Sequence, residues 1–222
     1  MSAARMVPLA DYQAQPPAVV QERAAEFLAE MRRRRSVRAF SDRAVPREAV
    51  CDCVAAAAAA PSGANLQPWH FVVVESPALK RQIRAAAERE ERAFYDSRAP
   101  RQWLADLAPL GTGPDKPFLE TAPYLIAVFV ETTSRTPEGA LRKNYYASTS
   151  TGIAIGILIT ALHHAGLACL PYTPSRMGFL NTLLGRPKNE RPMLILVTGY
   201  PAEDACVPAL ERKPLDDVMT LA

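Results

Sequence analysis

Four short apolar runs, at residues 69–74, 124–130, 167–172 and 193–198, decide most of what this chain can become. Each is rich in β-branched, aromatic or aliphatic residues, is bounded by Pro, Gly or polar residues, and has the length of a buried strand. Segments of helical composition stand between them. Strands and helices therefore mix throughout, and one α/β (α+β) domain around four core strands is expected.

The helices announce themselves by pattern. Residues 20–33 place Phe27, Leu28 and Met31 on one side. Pro46 sits at a first helical position, and residues 47–60 are helix formers up to Pro61-Ser62-Gly63. Ser76-Pro77 opens a helix expected to reach Tyr95. Residues 96–118 are broken by Pro and Gly, with a turn or two of helix at 103–110. A polar loop is expected at 132–141, a long apolar helix at 144–165 closed by Gly166, and a short helix at 176–184. Residues 1–20 and the segment beyond the last strand carry scattered prolines and read as extended arms. The organisation expected is an arm at 1–20 and a single domain at 21–222. Arms cost ordering entropy, which a second subunit to wrap around would offset.

Composition removes several classes. Of 222 residues, 49% are hydrophobic and 22% charged, an ordinary globular mixture. A formal net charge of +3 is too small to argue for nucleic acid. The 4 cysteines form no ligand cluster, which points to reduced thiols and a reducing, cytoplasmic compartment. Residues 152–162 are apolar but fall well short of the roughly 20 that a membrane span needs, and residues 1–20 hold no signal-peptide core. His163 and His164 are adjacent on a helix, about 100° apart, and cannot share one metal. No metal, membrane or nucleic-acid partner is expected.

Two motifs carry chemistry. Arg34, Arg35 and Arg38 surround a hydroxyl, Ser36. By itself such a run is most simply a solvated basic face, but planar guanidinium forks with a hydroxyl also suit a phosphate. Downstream, Ala60-Pro61-Ser62-Gly63-Ala64-Asn65 is followed by Gln67-Pro68-Trp69. The segment reads as a helix stop and turn, and its small residues also let backbone approach a flat ligand.

Together the two motifs resemble the signature of the nitroreductase superfamily, an R-R-S-x-R box followed by A-P-S-x-x-N/H-x-Q/E-P-W. The resemblance is to the iodotyrosine deiodinase branch along nearly the whole chain from about Glu26. It runs through Asn144-Tyr145-Tyr146, the 152–166 helix, Leu184-Gly185-Arg186-Pro187, Gly199-Tyr200-Pro201, and Arg212-Lys213-Pro214-Leu215. This resemblance implies a nitroreductase-like fold, with a central mixed sheet flanked by helices and extended arms. It also implies an interwound homodimer that binds FMN between its subunits. Arg34, Arg35, Ser36, Arg38 and Arg212 match the residues that hold the FMN phosphate. Pro61, Ser62, Gly63 and Ala64 match the segment that reaches the flavin from the other subunit. Pro171, Tyr172 and Thr173 match the segment beside the reactive edge, where Thr173 matches a hydroxyl that hydrogen-bonds flavin N5. Such a fixed contact favours one-electron steps, the redox chemistry itself belonging to the cofactor. Pro171 stands where many members have Thr and offers no N–H. Asn65 stands where several have His.

The branch is set apart by a substrate triad, which Glu91, Tyr95 and Lys116 match. Its members grip the zwitterion of a halotyrosine. The residues themselves agree: Glu91 and Tyr95 are i and i+4 on one helix face, Glu91 accepts from an ammonium, and Lys116 pairs with a carboxylate. Unaided by the resemblance, an ordinary charged helix and a surface lysine are the simpler reading. Ala64 matches a residue whose backbone N–H meets the phenolate oxygen of the substrate. Glu91, Tyr95, Lys116 and Ala64 are thus the expected substrate contacts, and Thr173 and Ala64 the expected catalytic ones. The implied activity is FMN-dependent reductive dehalogenation of halogenated L-tyrosine. Two alternatives stay open: a broader NAD(P)H-dependent nitro or quinone reductase, and a non-catalytic flavin-binding module. The vertebrate members of the branch carry an N-terminal membrane anchor; no such segment is read in this sequence, and a soluble protein is expected.

Overall fold

The computed structural model describes residues 4–10 and 12–222. The chain divides into two compact units, one ending at Arg34 and one running from Arg35 to Ala222. The first unit contains α1 (Pro17–Arg33), which starts three residues earlier than the sequence pattern suggests because Pro17 occupies its N1 position. No residue of α1 is buried, and Phe27 and Leu28 are half exposed.

The second unit is built on a sheet of β1 (Trp69–Val74), β2 (Tyr124–Glu131), β6 (Glu190–Gly199) and β5 (Ala168–Tyr172), in that order, each neighbour antiparallel. A parallel bridge from Ser36 to Cys169 adds the mixed element at the β5 edge. Antiparallel sheets often show water on one face and then alternate polar and apolar residues. Here β2 is buried at every position but its last, because helices cover both faces. On one face Leu125, Ala127, Phe129, Ile195 and Val197 meet α3 (Pro77–Ala93), α5 (Phe118–Thr121) and α7 (Gly178–Leu183). On the other, Tyr124, Ile126, Val128 and Leu196 meet α2 (Arg47–Ala58) and α6 (Ala147–His164). Each fully buried aliphatic side chain contributes about 1.5–3 kcal/mol. Among the described residues no helix is long and apolar enough to cross a membrane.

The four strands lie where the apolar runs place them, to within a few residues. Helix ends differ for local reasons. α6 begins at Ala147, not 144, because the Asn144 amide is committed to the Glu131 carbonyl at 2.9 Å and Tyr146 takes a left-handed φ of 50°. Past Ala93 the α3 helix becomes a π-helical turn, Phe94–Arg98, before α4 (Arg101–Leu107). The segment 132–141 is a correction: it holds β3 (Thr133–Arg135), paired with β4 (Leu141–Lys143). That hairpin has no apolar alternation to betray it. It is closed by the Thr136 N–H on the Ala140 carbonyl at 2.9 Å, with Gly139 at φ 86°. Beyond Pro201, which bridges to Phe40, the C-terminal tail is irregular apart from turns at 203–204 and Leu215–Asp217.

At one end of the sheet His70, Glu131 and Glu190 converge, a ligating atom of each lying within 4.8 Å of the others. Glu131 and Glu190 are direct cross-strand partners, a destabilising arrangement for like charges. The Arg186 guanidinium forks onto both oxygens of Glu190, with Nε to Oε2 at 2.6 Å, and answers one of the two charges. Burial, and then Glu190, raise the Glu131 pKa. Its folded pKa lies above the unfolded value, so its ionisation costs stability at neutral pH, and that cost disappears where it is protonated in both states. Glu131→Gln is expected to stabilise the chain by about 0.5–1 kcal/mol at pH 7.5. Denaturant melts at pH 7.5 and pH 4 check this, and the gain should shrink toward zero at the lower pH.

Candidate active site

Residues 35–41 run extended along the β5 edge. The Val37 N–H donates to the Cys169 carbonyl at 3.3 Å, and the Ser41 N–H to the Tyr200 carbonyl at 3.0 Å. Val37 and Phe40 turn into the core. Arg35, Ser36 and Arg38 are left to line a cavity of about 190 Å³, where they meet Pro208, Leu210 and Arg212 of the tail. The Arg35 guanidinium donates to the Pro208 carbonyl, which ties the tail to this wall. Among the described residues no carboxylate pairs with Arg35, Arg38 or Arg212. Burial lowers the Arg38 pKa, and Tyr95 opposes it. Three guanidiniums and a hydroxyl around one cavity, with no internal anion, are the donor set of a phosphate site.

A second cavity, of about 390 Å³, shares Arg38 and Leu110 with the first. Glu91 enters it from the buried face of α3, Tyr95 from the π-helical turn, and Lys116 from the segment before α5. The extra residue of a π turn re-aims side chains, and such turns gather at functional sites. Glu91 and Lys116 are only 7% and 3% exposed, and their Oε2 and Nζ stand 3.4 Å apart. The Tyr172 hydroxyl donates to the other oxygen of Glu91, Oε1, at 3.0 Å. The Lys116 ammonium also donates to Thr112 Oγ1 at 3.1 Å and to the Gly113 carbonyl, while the Tyr95 hydroxyl donates to the Thr112 carbonyl at 3.3 Å. Burial pulls the Lys116 pKa down, and Glu91 pulls it back. The backbone of Lys116 is fixed as well, its N–H donating to Glu88 Oε1 at 2.8 Å. Burial alone would raise the Glu88 pKa, but that bond and the neighbouring Arg84 and Arg92 outweigh it and hold it low. Glu91, Tyr95 and Lys116, distant or unremarkable in sequence, thus converge on one wall.

Pro171, Tyr172 and Thr173 line the same cavity at the end of β5, and the Thr173 residue is exposed at its mouth. Pro61, Ser62, Gly63 and Ala64 line neither cavity of this chain. They form a tight turn in which the Ser62 hydroxyl accepts from the Gln67 N–H at 2.9 Å. A Cβ on Gly63 would meet the Tyr145 carbonyl at 3.1 Å. Ala64 is exposed and left-handed, at φ 51°. Such a backbone in a non-glycine residue costs about 1–2 kcal/mol and gathers where strain serves a site. Arg34 belongs to the first unit, at the C-cap of α1.

The nitroreductase family model matches residues 31–200, most of the chain. The chain belongs to the nitroreductase family. Within it the sequence is 50% identical over 215 residues to the iodotyrosine deiodinase of Haliscomenobacter hydrossis, covering 97% of this chain and 96% of that one. It is 42% identical over 199 residues to iodotyrosine deiodinase 1 of Homo sapiens, covering 89% and 69%. The crystal structure of an oxidized iodotyrosine deiodinase bound to FMN and 3-iodo-L-tyrosine superposes with a TM-score of 0.74 at 33% identity, over 88% of this chain and all of that one. More distant neighbours, such as an FMN-bound nitroreductase from Bacteroides fragilis at a TM-score of 0.63 and 25% identity, share the fold. This nitroreductase-family chain is a flavin oxidoreductase, and FMN is the cofactor that these two solved relatives hold.

The residues present fit that cofactor, since a cavity lined by three guanidiniums with no carboxylate partner among the described residues matches a phosphate monoester in charge and donor type. Sequence reading missed Glu88, Trp103 and Thr112. Glu88 stands i, i+3 from Glu91 on one helix face, a signal that was available. Trp103 and Thr112 lie in the Pro- and Gly-broken segment, where no period points to a wall. Charge-assisted bonds of this kind contribute about 1.5–3 kcal/mol each. Arg38→Ala and Arg212→Ala should therefore each weaken FMN binding about ten- to a hundredfold, with a steeper loss at high salt, as fluorescence titration of apoprotein would read.

Proposed function

We propose that this chain removes the halogen from halogenated L-tyrosine, converting 3-iodo-L-tyrosine to L-tyrosine and iodide. The observation that carries this reading is the buried Glu91–Lys116 pair on the cavity wall next to the phosphate site. A carboxylate and an ammonium held a few ångströms apart are the complement of an amino-acid zwitterion, the ammonium of which pairs with Glu91 and the carboxylate with Lys116. Nitro and quinone substrates have no such group to satisfy. Burying the pair away from water strengthens both contacts. Tyr95 closes the same wall, and the Thr112–Gly113 segment that holds Lys116 and Tyr95 serves as the closing element over the bound substrate.

Reduced FMN supplies the two electrons. The carbon–iodine bond breaks, iodide leaves with its electron pair, and the ring carbon takes a proton. Arg35, Ser36, Arg38 and Arg212 hold the phosphate, and Thr173 offers its hydroxyl at flavin N5. Pro61 to Ala64 reach the flavin of a second subunit, which agrees with their absence from both cavities of their own chain. The exposed apolar residues of α1 and of the tail, Phe27, Leu28, Leu215 and Val218 among them, support an interwound homodimer. In that pairing the Ala64 N–H meets the phenolate oxygen.

The test is anaerobic. Dithionite-reduced protein mixed with 3-iodo-L-tyrosine is expected to regain its oxidised flavin spectrum and release stoichiometric tyrosine. Flavin that stays reduced beside intact iodotyrosine would sink the deiodinase reading. Glu91→Gln is expected to raise KM for iodotyrosine at least tenfold, and steady-state kinetics would check it. A general nitroreductase would leave that variant nearly silent.

A further inference from the structure

We propose, on the halotyrosine reading above, that Tyr172 is a positioning residue for substrate selection: its hydroxyl holds Glu91 Oε1 so that Glu91 stays open to the substrate ammonium instead of closing onto Lys116. Tyr172 precedes Thr173 at the end of β5, yet its side chain is turned into the core and away from the cavity mouth. It is 8% exposed and packs edge-on against Phe118, with ring centroids 5.6 Å apart. Its hydroxyl reaches Glu91 Oε1 at 3.0 Å, while Oε2 faces Lys116 at 3.4 Å. The two carboxylate oxygens are therefore divided between two donors of different kinds.

That division matters because Glu91 and Lys116 are nearly dry. A buried carboxylate beside one ammonium, with no other donor, gives both oxygens to the cation. An incoming zwitterion must then break a two-oxygen ion pair before it gains anything. The Tyr172 hydroxyl prevents this by claiming one oxygen with a neutral donor. Burial first, and Glu91 second, push the Tyr172 pKa far up, so the phenol keeps its proton and remains a donor at all working pH values. The ring has a separate duty: Lys116 Nζ lies 5.6 Å from its centroid. Phenylalanine retains the ring and removes only the hydroxyl.

Tyr172→Phe therefore isolates the effect. Its KM for 3-iodo-L-tyrosine is expected to rise about tenfold, the usual range for a bond to a charged group, with a smaller effect on kcat. For 2-iodophenol, which has no amino-acid group, the loss in kcat/KM is expected to be about tenfold smaller than the loss for 3-iodo-L-tyrosine. In a Glu91→Gln background the same substitution is expected to add nothing further. Equal losses on both substrates, or a silent Tyr172→Phe, would overturn the positioning role while leaving the deiodinase reading intact. A wild-type protein that leaves iodotyrosine untouched would overturn both.

Discussion

Everything in the second unit hangs on β2, a strand that has no solvent side. Its residues alternate between two cores, Leu125, Ala127 and Phe129 into one and Ile126 and Val128 into the other. A sheet wetted on one face tolerates polar residues there. This one does not, and so helices must cover both faces. That requirement brings α3 against the sheet, and α3 in turn delivers Glu88 and Glu91 to the interior on its packed face. Two carboxylates enter the protein because the helix carrying them has nowhere else to lie.

The two cavities solve opposite electrostatic problems. Around Arg35, Arg38 and Arg212 the chain leaves positive charge unanswered, an arrangement that favours a bound anion. Around Glu91 and Lys116 it answers each charge internally and adds further hydrogen bonds that hold them in place: the Glu88 carboxylate accepts from the Lys116 N–H, and the Tyr172 hydroxyl donates to Glu91. The first is an open demand for a ligand. The second is a balanced pair that a ligand of matching polarity can take over without creating a bare buried charge.

The sequence made the strands legible because a fully buried strand has a distinctive composition, as residues 124–130 of β2 show. Polar structure was harder: the β3–β4 hairpin is held by backbone bonds, and nothing in Thr133, Ser134 or Arg135 records them. The same division runs through the site. Arg35, Ser36 and Arg38 stand together in sequence and in space, so one motif reveals them. Glu91 and Lys116 are brought together only by folding, and reading them as a pair required the likeness to a known family. The link between Tyr172 and Glu91 spans 81 positions and joins a strand end to a helix face, which no local pattern encodes.

Arg38 belongs to both cavities. Its charge helps keep the Lys116 pKa down and opposes the rise at Tyr95. An anion that neutralises it on one side thereby alters the cost of holding a proton on the other. Such influence is reciprocal by thermodynamic necessity. The two cavities are then electrostatically coupled through one shared guanidinium.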